Sequence, residues 1–119
     1  MVGRNILDHA GCKDNDFIAP SRDILDLTDF DATFDYIKRV KPDMVINAAG
    51  YVGGIRANLE YPLEFLMVNL DIGRNLVSAA YKNNVKKLLN LGASCMYPRN
   101  APNPLKEDMF LLHLVFCYV

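Results

Sequence analysis

The stretch "DMVINAAG", residues 43–50, decides the predicted fold. Its apolar residues run together without alternating with polar ones, which is typical of a strand covered on both faces in a parallel sheet. A predicted helix precedes it, "LTDFDATFDYIKRVKPD" at 27–43. Asp29 suits the N-cap of that helix, and Pro42 ends it. A helix followed at once by a buried strand indicates an α/β protein.

The same alternation continues on both sides of this stretch. "YPLEFLMVNLDIGRNLVSAAYKNN" (61–84) predicts a long helix, "VKKLLNLGAS" (85–94) the next strand, and "DFIAP" (16–20) a short earlier strand. This order predicts a doubly wound parallel sheet, Rossmann-like in class. No strand precedes the first residues, which already read as a helix, and no helix follows the polar loop at 97–108. We therefore expect a partial sheet that lacks its first strand and its carboxy-terminal half.

Composition excludes several classes of function. Hydrophobic residues make up 51% of the 119 residues, and the net charge is −1 with no basic block, so neither disorder nor nucleic-acid binding is expected. The three cysteines show no C-x-x-C spacing, which argues against a metal site or a disulfide framework. The longest apolar run is about half of the roughly twenty residues that a membrane span needs. With no signal-peptide pattern at the start, we expect a cytoplasmic protein.

Three stretches carry side chains suited to ligand chemistry. In "NLGASCMYP" (90–98), Ser94 and Cys95 follow a strand end, where a hydroxyl and a thiol can act on a ligand, although a free Cys is more often a small buried residue. The small residues 48–50 permit close approach of a nucleotide, or form a plain turn. Arg22, just past the predicted strand 16–20, suits a 2′-phosphate, or is an exposed surface residue.

Taken together, these residues resemble the GDP-L-fucose synthase family. Its members are NADPH-dependent 3,5-epimerase/4-reductases of GDP-4-keto-6-deoxy-D-mannose, within the extended short-chain dehydrogenase/reductase superfamily. The resemblance covers residues 1 to about 110 and is most specific in "VGGI.AN", "YP..F...N" and "LG.SC.YP". It implies a partial NADP-binding domain at 1–110, with 111–119 as an atypical apolar tail. That tail is either a truncated or frame-shifted reading or a strand that packs over an exposed edge.

The resemblance also implies roles for individual residues. Cys95 matches the thiol acid/base of the epimerisation. Ala93 stands where the family has its catalytic hydroxyl, which leaves open whether Ser94 replaces it. The expected contacts to the cofactor NADP (NADPH) are Gly3, Arg22, Asp26, Leu27, Ala48, Ala49, Gly50, Leu91, Gly92 and Ala93.

The resemblance implies a nucleotide-sugar substrate and, for full-length relatives, a homodimer. The family's Tyr-x-x-x-Lys pair does not occur in this sequence, so we expect these 119 residues to be inactive alone. The alternative is a non-catalytic α/β module that binds a nucleotide or a protein partner.

Overall fold

The computed structural model describes residues 2–9, 15–93, 96–98, 100–106 and 109. These residues form four helices and two strands. In chain order they are α1 (Val2–Asp8), α2 (Phe30–Val40), β1 (Met44–Asn47), α3 (Ile55–Glu60), α4 (Pro62–Lys82) and β2 (Lys87–Asn90). The predicted tail at 111–119 lies outside the described residues.

Helix α2 begins and ends where the sequence predicts. The Asp29 carboxylate accepts the backbone N–H of Ala32 at 3.0 Å, so Asp29 is the N-cap. At the other end Lys41 adopts a left-handed backbone with φ 49°, and its N–H donates to the carbonyl oxygen of Ile37 at 2.8 Å. Pro42 follows and cannot continue the helix. The predicted helix at 27–43 is confirmed, with its ends shortened to the capped residues.

The two longer helices pack against each other and against the sheet. Ile37 of α2 lies against Leu76 and Ala79 of α4, and all three are buried. Partly buried side chains from α2, β1 and the loops surround them: Leu27, Phe30, Phe34, Val45 and Val85. This cluster is the core of the described residues, and it holds β1 beside the two helices.

Strands β1 and β2 are parallel, as predicted. The register runs from Met44 opposite Lys87 to Asn47 opposite Asn90. Within the described residues this sheet has two strands. Leu89 of β2 is 44% exposed, so the sheet is not covered on both faces there, although the short, non-alternating apolar run of β1 had indicated two covered faces.

The predicted strand at 16–20 is wrong. These residues have no regular secondary structure and form no ladder with any described residue, and Ile18 is 62% exposed. A strand is stable only where a neighbouring strand takes up its backbone N–H and C=O groups. Local apolar character favours an extended chain, but it cannot supply that neighbour.

Helix α3 has no counterpart in the sequence prediction, which left residues 55–60 between the Gly-rich turn and the long helix. The helix is six residues long, and Pro62 follows as the first residue of α4. Because proline lacks a backbone N–H, it separates two helices that would otherwise run together. Among the described helices, none combines the length and the apolar character needed to cross a membrane.

Candidate functional site

The carboxyl ends of β1 and β2 lie side by side, and the predicted cofactor segments follow them directly. Asn47 and Asn90, the last residues of the two strands, are register partners. The backbone N–H of Leu91 donates to the carbonyl oxygen of Asn47 at 3.3 Å. Segments 48–50 and 91–93 therefore leave the sheet as neighbours. This is the edge at which open α/β sheets bind their ligands.

Gly3 reaches the same edge from helix α1. A Cβ added to Gly3 would lie 3.6 Å from the Cβ of Ala48, so the first turn of α1 packs against segment 48–50. Residues 48–50 and 91–93 are all exposed. Small exposed residues let a flat ring or a pyrophosphate approach the backbone. The structure brings these predicted residues together, and their binding of a cofactor stays a prediction.

Asparagine side chains fasten the Gly-rich turn at 50–54 to helices α3 and α4. The backbone N–H of Tyr51 donates to Asn69 Oδ1 at 2.8 Å, and Asn69 Nδ2 donates back to the carbonyl oxygen of Tyr51 at 2.8 Å. Asn58 Nδ2 donates to the carbonyl oxygens of the two glycines that end the turn, at 3.1 and 3.0 Å. These bonds satisfy backbone groups of the turn, and the Gly54 carbonyl oxygen also accepts the Asn58 N–H at the start of α3. They hold the turn in place beside the strand end.

The Tyr51 side chain adds a second fastening. Its ring packs against Phe65 with centroids 4.7 Å apart, and its hydroxyl donates to Glu64 Oε1 at 3.0 Å. That hydrogen bond, with the negative charge of Glu64, raises the pKa of Tyr51 above its ordinary value of 10.0. Tyr51 is therefore a neutral phenol near pH 7, where it anchors the turn and does not act as a base.

Asn58 and Asn69 lie in two of the motifs that carry the family resemblance, but the sequence predicted no site role for either residue. The residue type itself was a sign of such a role, since the short side-chain amide of asparagine readily forms hydrogen bonds with nearby backbone groups. Their partners lie five residues away for Asn58 and eighteen residues away for Asn69. The longer of these separations depends on how α4 lies against the turn, which the sequence pattern does not give.

Gly53→Ser is expected to destabilise the fold by about 1–3 kcal/mol through overpacking. A Cβ at Gly53 would lie 2.6 Å from Phe65 Cζ and 3.2 Å from the Cβ of Ala57. Moving the Phe65 ring would disturb its contact with Tyr51. Urea unfolding of the parent and the variant measures the change in the free energy of unfolding.

Gly54→Ser is the matched control for this prediction. Nothing lies within 4 Å of a Cβ at Gly54. Gly54 is also the N-cap of α3, where serine is favoured. The control should therefore unfold at the parent's urea concentration or slightly above it. Equal destabilisation of both variants would contradict the packing argument.

Arg22 lies in an exposed turn that leads to Asp26. Asp26 Oδ1 accepts the backbone N–H of Thr28 at 2.9 Å and the Thr28 hydroxyl at 2.7 Å. These two bonds, and then the charge of Arg22, lower the pKa of Asp26 below its ordinary 3.8. The charge of Arg22 also acts on Tyr51, where it opposes the rise in pKa. The charge of Arg22 therefore acts both on Asp26 and on the Gly-rich turn.

The backbone of Leu27 is hydrogen-bonded by a buried side-chain amide. Asn75 is 1% exposed, and its Nδ2 donates to the carbonyl oxygens of Leu27 and Thr28 at 3.0 and 2.8 Å. The Leu27 side chain packs against the hydrophobic core. A contact from this segment to an adenine would therefore depend on how helix α4 holds its backbone. Asn75 was not among the predicted site residues, although it lies within the predicted helix.

The segment after β2 turns back on itself at Met96. The Met96 backbone N–H donates to the carbonyl oxygen of Ala93 at 3.0 Å, and the Ala93 N–H donates to Met96 Sδ at 3.2 Å. A Cβ on Gly92 would lie 2.5 Å from that sulfur, so glycine is what permits this contact. The predicted catalytic residues Ser94 and Cys95 lie outside the described residues.

The described part of the chain contains no group of three or more His, Cys, Asp or Glu side chains that could hold a metal ion. The chemistry offered by the described edge is that of small residues and exposed backbone, which permit a ligand to approach the chain closely.

Residues 1–116 match the NAD dependent epimerase/dehydratase family. The chain belongs to this family. It is 51% identical over 111 residues to a GDP-L-colitose synthase of Yersinia pseudotuberculosis, covering 93% of this chain and 36% of that protein. It is 44% identical over 107 residues to a GDP-L-fucose synthase of Azorhizobium caulinodans, covering 90% and 34%.

A solved structure agrees with these relatives. MlghC, a GDP-mannoheptose C4 reductase from Campylobacter jejuni with NADP bound, superposes with a TM-score of 0.76 at 34% identity, covering 89% of this chain and 31% of that one. The Rossmann-like fold class and the resemblance to GDP-L-fucose synthases are both confirmed. The chain spans about a third of the length of the relatives that it matches.

Proposed function

We propose that the protein containing this chain is an NADP-dependent epimerase/reductase of a GDP-linked 4-keto-6-deoxy sugar, forming GDP-L-fucose. The observation that carries the proposal is the junction of segments 48–50 and 91–93 at one edge of the sheet, with Gly3 beside them. The relatives support it, since a GDP-L-fucose synthase, a GDP-L-colitose synthase and a GDP-sugar reductase are similar to this chain over most of its length.

The residues at this edge fit NADPH. The exposed small residues 48–50, 92 and 93 leave space for the dinucleotide, and Arg22 offers a cation for its 2′-phosphate. NADPH, when bound, supplies the hydride that reduces the sugar ketone. In this proposal Asp26 and Leu27 border the adenine, Cys95 moves protons at the sugar ring, and Ser94 supplies the hydroxyl that Ala93 lacks. Residues 1–110 form the cofactor-binding portion, and 111–119 lie outside it.

The test uses the complete gene product that contains these residues. We expect it to oxidise NADPH when GDP-4-keto-6-deoxy-D-mannose is added, and to release GDP-L-fucose, which NMR identifies by its altered ring stereochemistry. The same sugar linked to UDP serves as a control for recognition of the guanine nucleotide. Binding of NADPH without turnover of any GDP-linked keto sugar would favour the non-catalytic module instead.

We also propose that the complete protein is a cytoplasmic homodimer joined through α4. One face of this helix carries large apolar side chains at helical spacing, each between 46% and 69% exposed: Leu63, Leu66, Met67, Leu70 and Val77. A stripe of this kind is typical of a helix that packs on another helix. A second copy of the same helix offers a matching stripe under twofold symmetry.

Leu70→Glu is expected to convert the dimer to monomer, because it places a charge in the middle of that stripe. Analytical ultracentrifugation of the complete gene product measures the mass. Leu105→Glu is the control, since Leu105 is 47% exposed and is not part of α4. An unchanged mass for Leu70→Glu would rule out this face as the dimer contact.

A further inference from the structure

The last residues of the two strands are joined by their side chains as well as by the sheet. Asn47 Nδ2 donates to Asn90 Oδ1 at 2.7 Å. Asn47 is 8% exposed, whereas Asn90 is exposed. This side-chain hydrogen bond joins the two strands at their last register pair, in addition to the backbone bonds of the sheet.

Asn47 is bonded to both predicted cofactor segments. Its Oδ1 accepts the backbone N–H of Ala49 at 3.2 Å, and its carbonyl oxygen accepts the N–H of Leu91 at 3.3 Å. Through Nδ2 it also holds Asn90, the residue directly before Leu91. One buried residue therefore ties the start of segment 48–50 to the start of segment 91–93.

We propose that Asn47 and Asn90 are a positioning pair that sets the gap between these two segments and thereby the affinity for the dinucleotide. The inference rests on the proposed function, because it takes NADPH as the ligand of this edge. Past the strand ends, the described residues contain one backbone hydrogen bond that joins either segment to a strand. It runs from the Leu91 N–H to the carbonyl oxygen of Asn47. Without the amide pair the segments would separate more freely, and a ligand would have to restrain them on binding.

Asn90→Leu is the principal variant. Leucine has a similar size but cannot accept the hydrogen bond from Asn47. Asn90 is exposed, so the substitution should leave the core intact. We expect NADPH binding to weaken roughly twofold to tenfold, the range that one hydrogen bond supports. Asn90→Gln retains a neutral amide acceptor on an exposed side chain and should restore much of the affinity.

The opposite end of the same two strands offers a matched control. Lys86 Nζ lies 2.8 Å from Asp43 Oδ1, joining the residues just before β2 and β1. Lys86→Met removes that connection as Asn90→Leu removes the other. A general loosening of the sheet would follow from either variant, whereas repositioning of the ligand segments would follow from Asn90→Leu alone.

Two measurements on the complete gene product test the inference: the dissociation constant for NADPH from nicotinamide fluorescence, and amide hydrogen exchange at Ala49 and Leu91. We expect Asn90→Leu to weaken binding and to speed exchange at both amides, with Lys86→Met matching the parent. Parent-like binding by Asn90→Leu, or equal weakening by Lys86→Met, would overturn the positioning role. Absence of NADPH binding by the parent itself would overturn the proposed function, and the pair's role with it.

Discussion

Cys95→Ser in the complete gene product is expected to stop deuterium uptake from solvent into the sugar while NADPH binding stays intact. Epimerisation next to a ketone needs a base that removes a carbon-bound proton and an acid that returns one to the opposite face. A thiol can take or give the proton on one of these faces when its pKa suits the step, and a serine hydroxyl does not ionise in that range. Loss of such a group lowers the rate on the order of a hundredfold or more.

The measurement is deuterium incorporation by mass spectrometry after incubation of the keto sugar in D₂O. Serine and cysteine have similar volumes, so thermal unfolding should change little. Cys12→Ser is the control, because Cys12 is not in the motif that carries the assignment. A Cys95→Ser protein that exchanges deuterium as fast as the parent would show that the thiol is structural.

Patterns set by neighbours in sequence were predicted correctly. Helix α2 was predicted because Asp29 and Pro42 are signals that act within one turn of the helix. The parallel pairing of β1 and β2 was predicted because a helix between two apolar runs leaves few other connections. The gathering of segments 48–50 and 91–93 follows from that pairing alone, since parallel strands end at the same edge.

What the sequence did not predict depends on contacts between distant residues. The strand expected at 16–20 fails for want of a pairing partner among the described residues, which no local pattern reports. The bonds from Asn69 to Tyr51 and from Asn75 to Leu27 span 18 and 48 residues. An asparagine within a helix usually points to solvent or bonds locally, so its type and spacing do not identify a distant carbonyl partner. These amides nevertheless fix the loops that carry the predicted site.

Arg22→Ala is expected to weaken NADPH binding roughly tenfold to a hundredfold while leaving NADH binding nearly unchanged. A charge-assisted contact to a phosphate contributes about 1.5–3 kcal/mol, and each 1.4 kcal/mol corresponds to a factor of ten in affinity. NADH lacks the 2′-phosphate, so it has no such contact to lose. Arg22 lies close enough to Asp26 and Tyr51 for its charge to lower the pKa of Asp26 and to oppose the rise in the pKa of Tyr51.

Titration of the complete gene product with each cofactor, followed by nicotinamide fluorescence, gives the two dissociation constants and their ratio. Arg39→Ala is the control, because Arg39 lies in the last turn of α2 with its guanidinium over Tyr36. Arg39→Ala changes the net charge by the same amount as Arg22→Ala but leaves residues 22–28 unchanged. An effect of net charge alone would therefore appear in both variants. The ratio for Arg39→Ala should equal that of the parent. Equal weakening of NADPH and NADH by Arg22→Ala would mean that the guanidinium does not meet the 2′-phosphate and that cofactor preference arises elsewhere along the edge of the sheet.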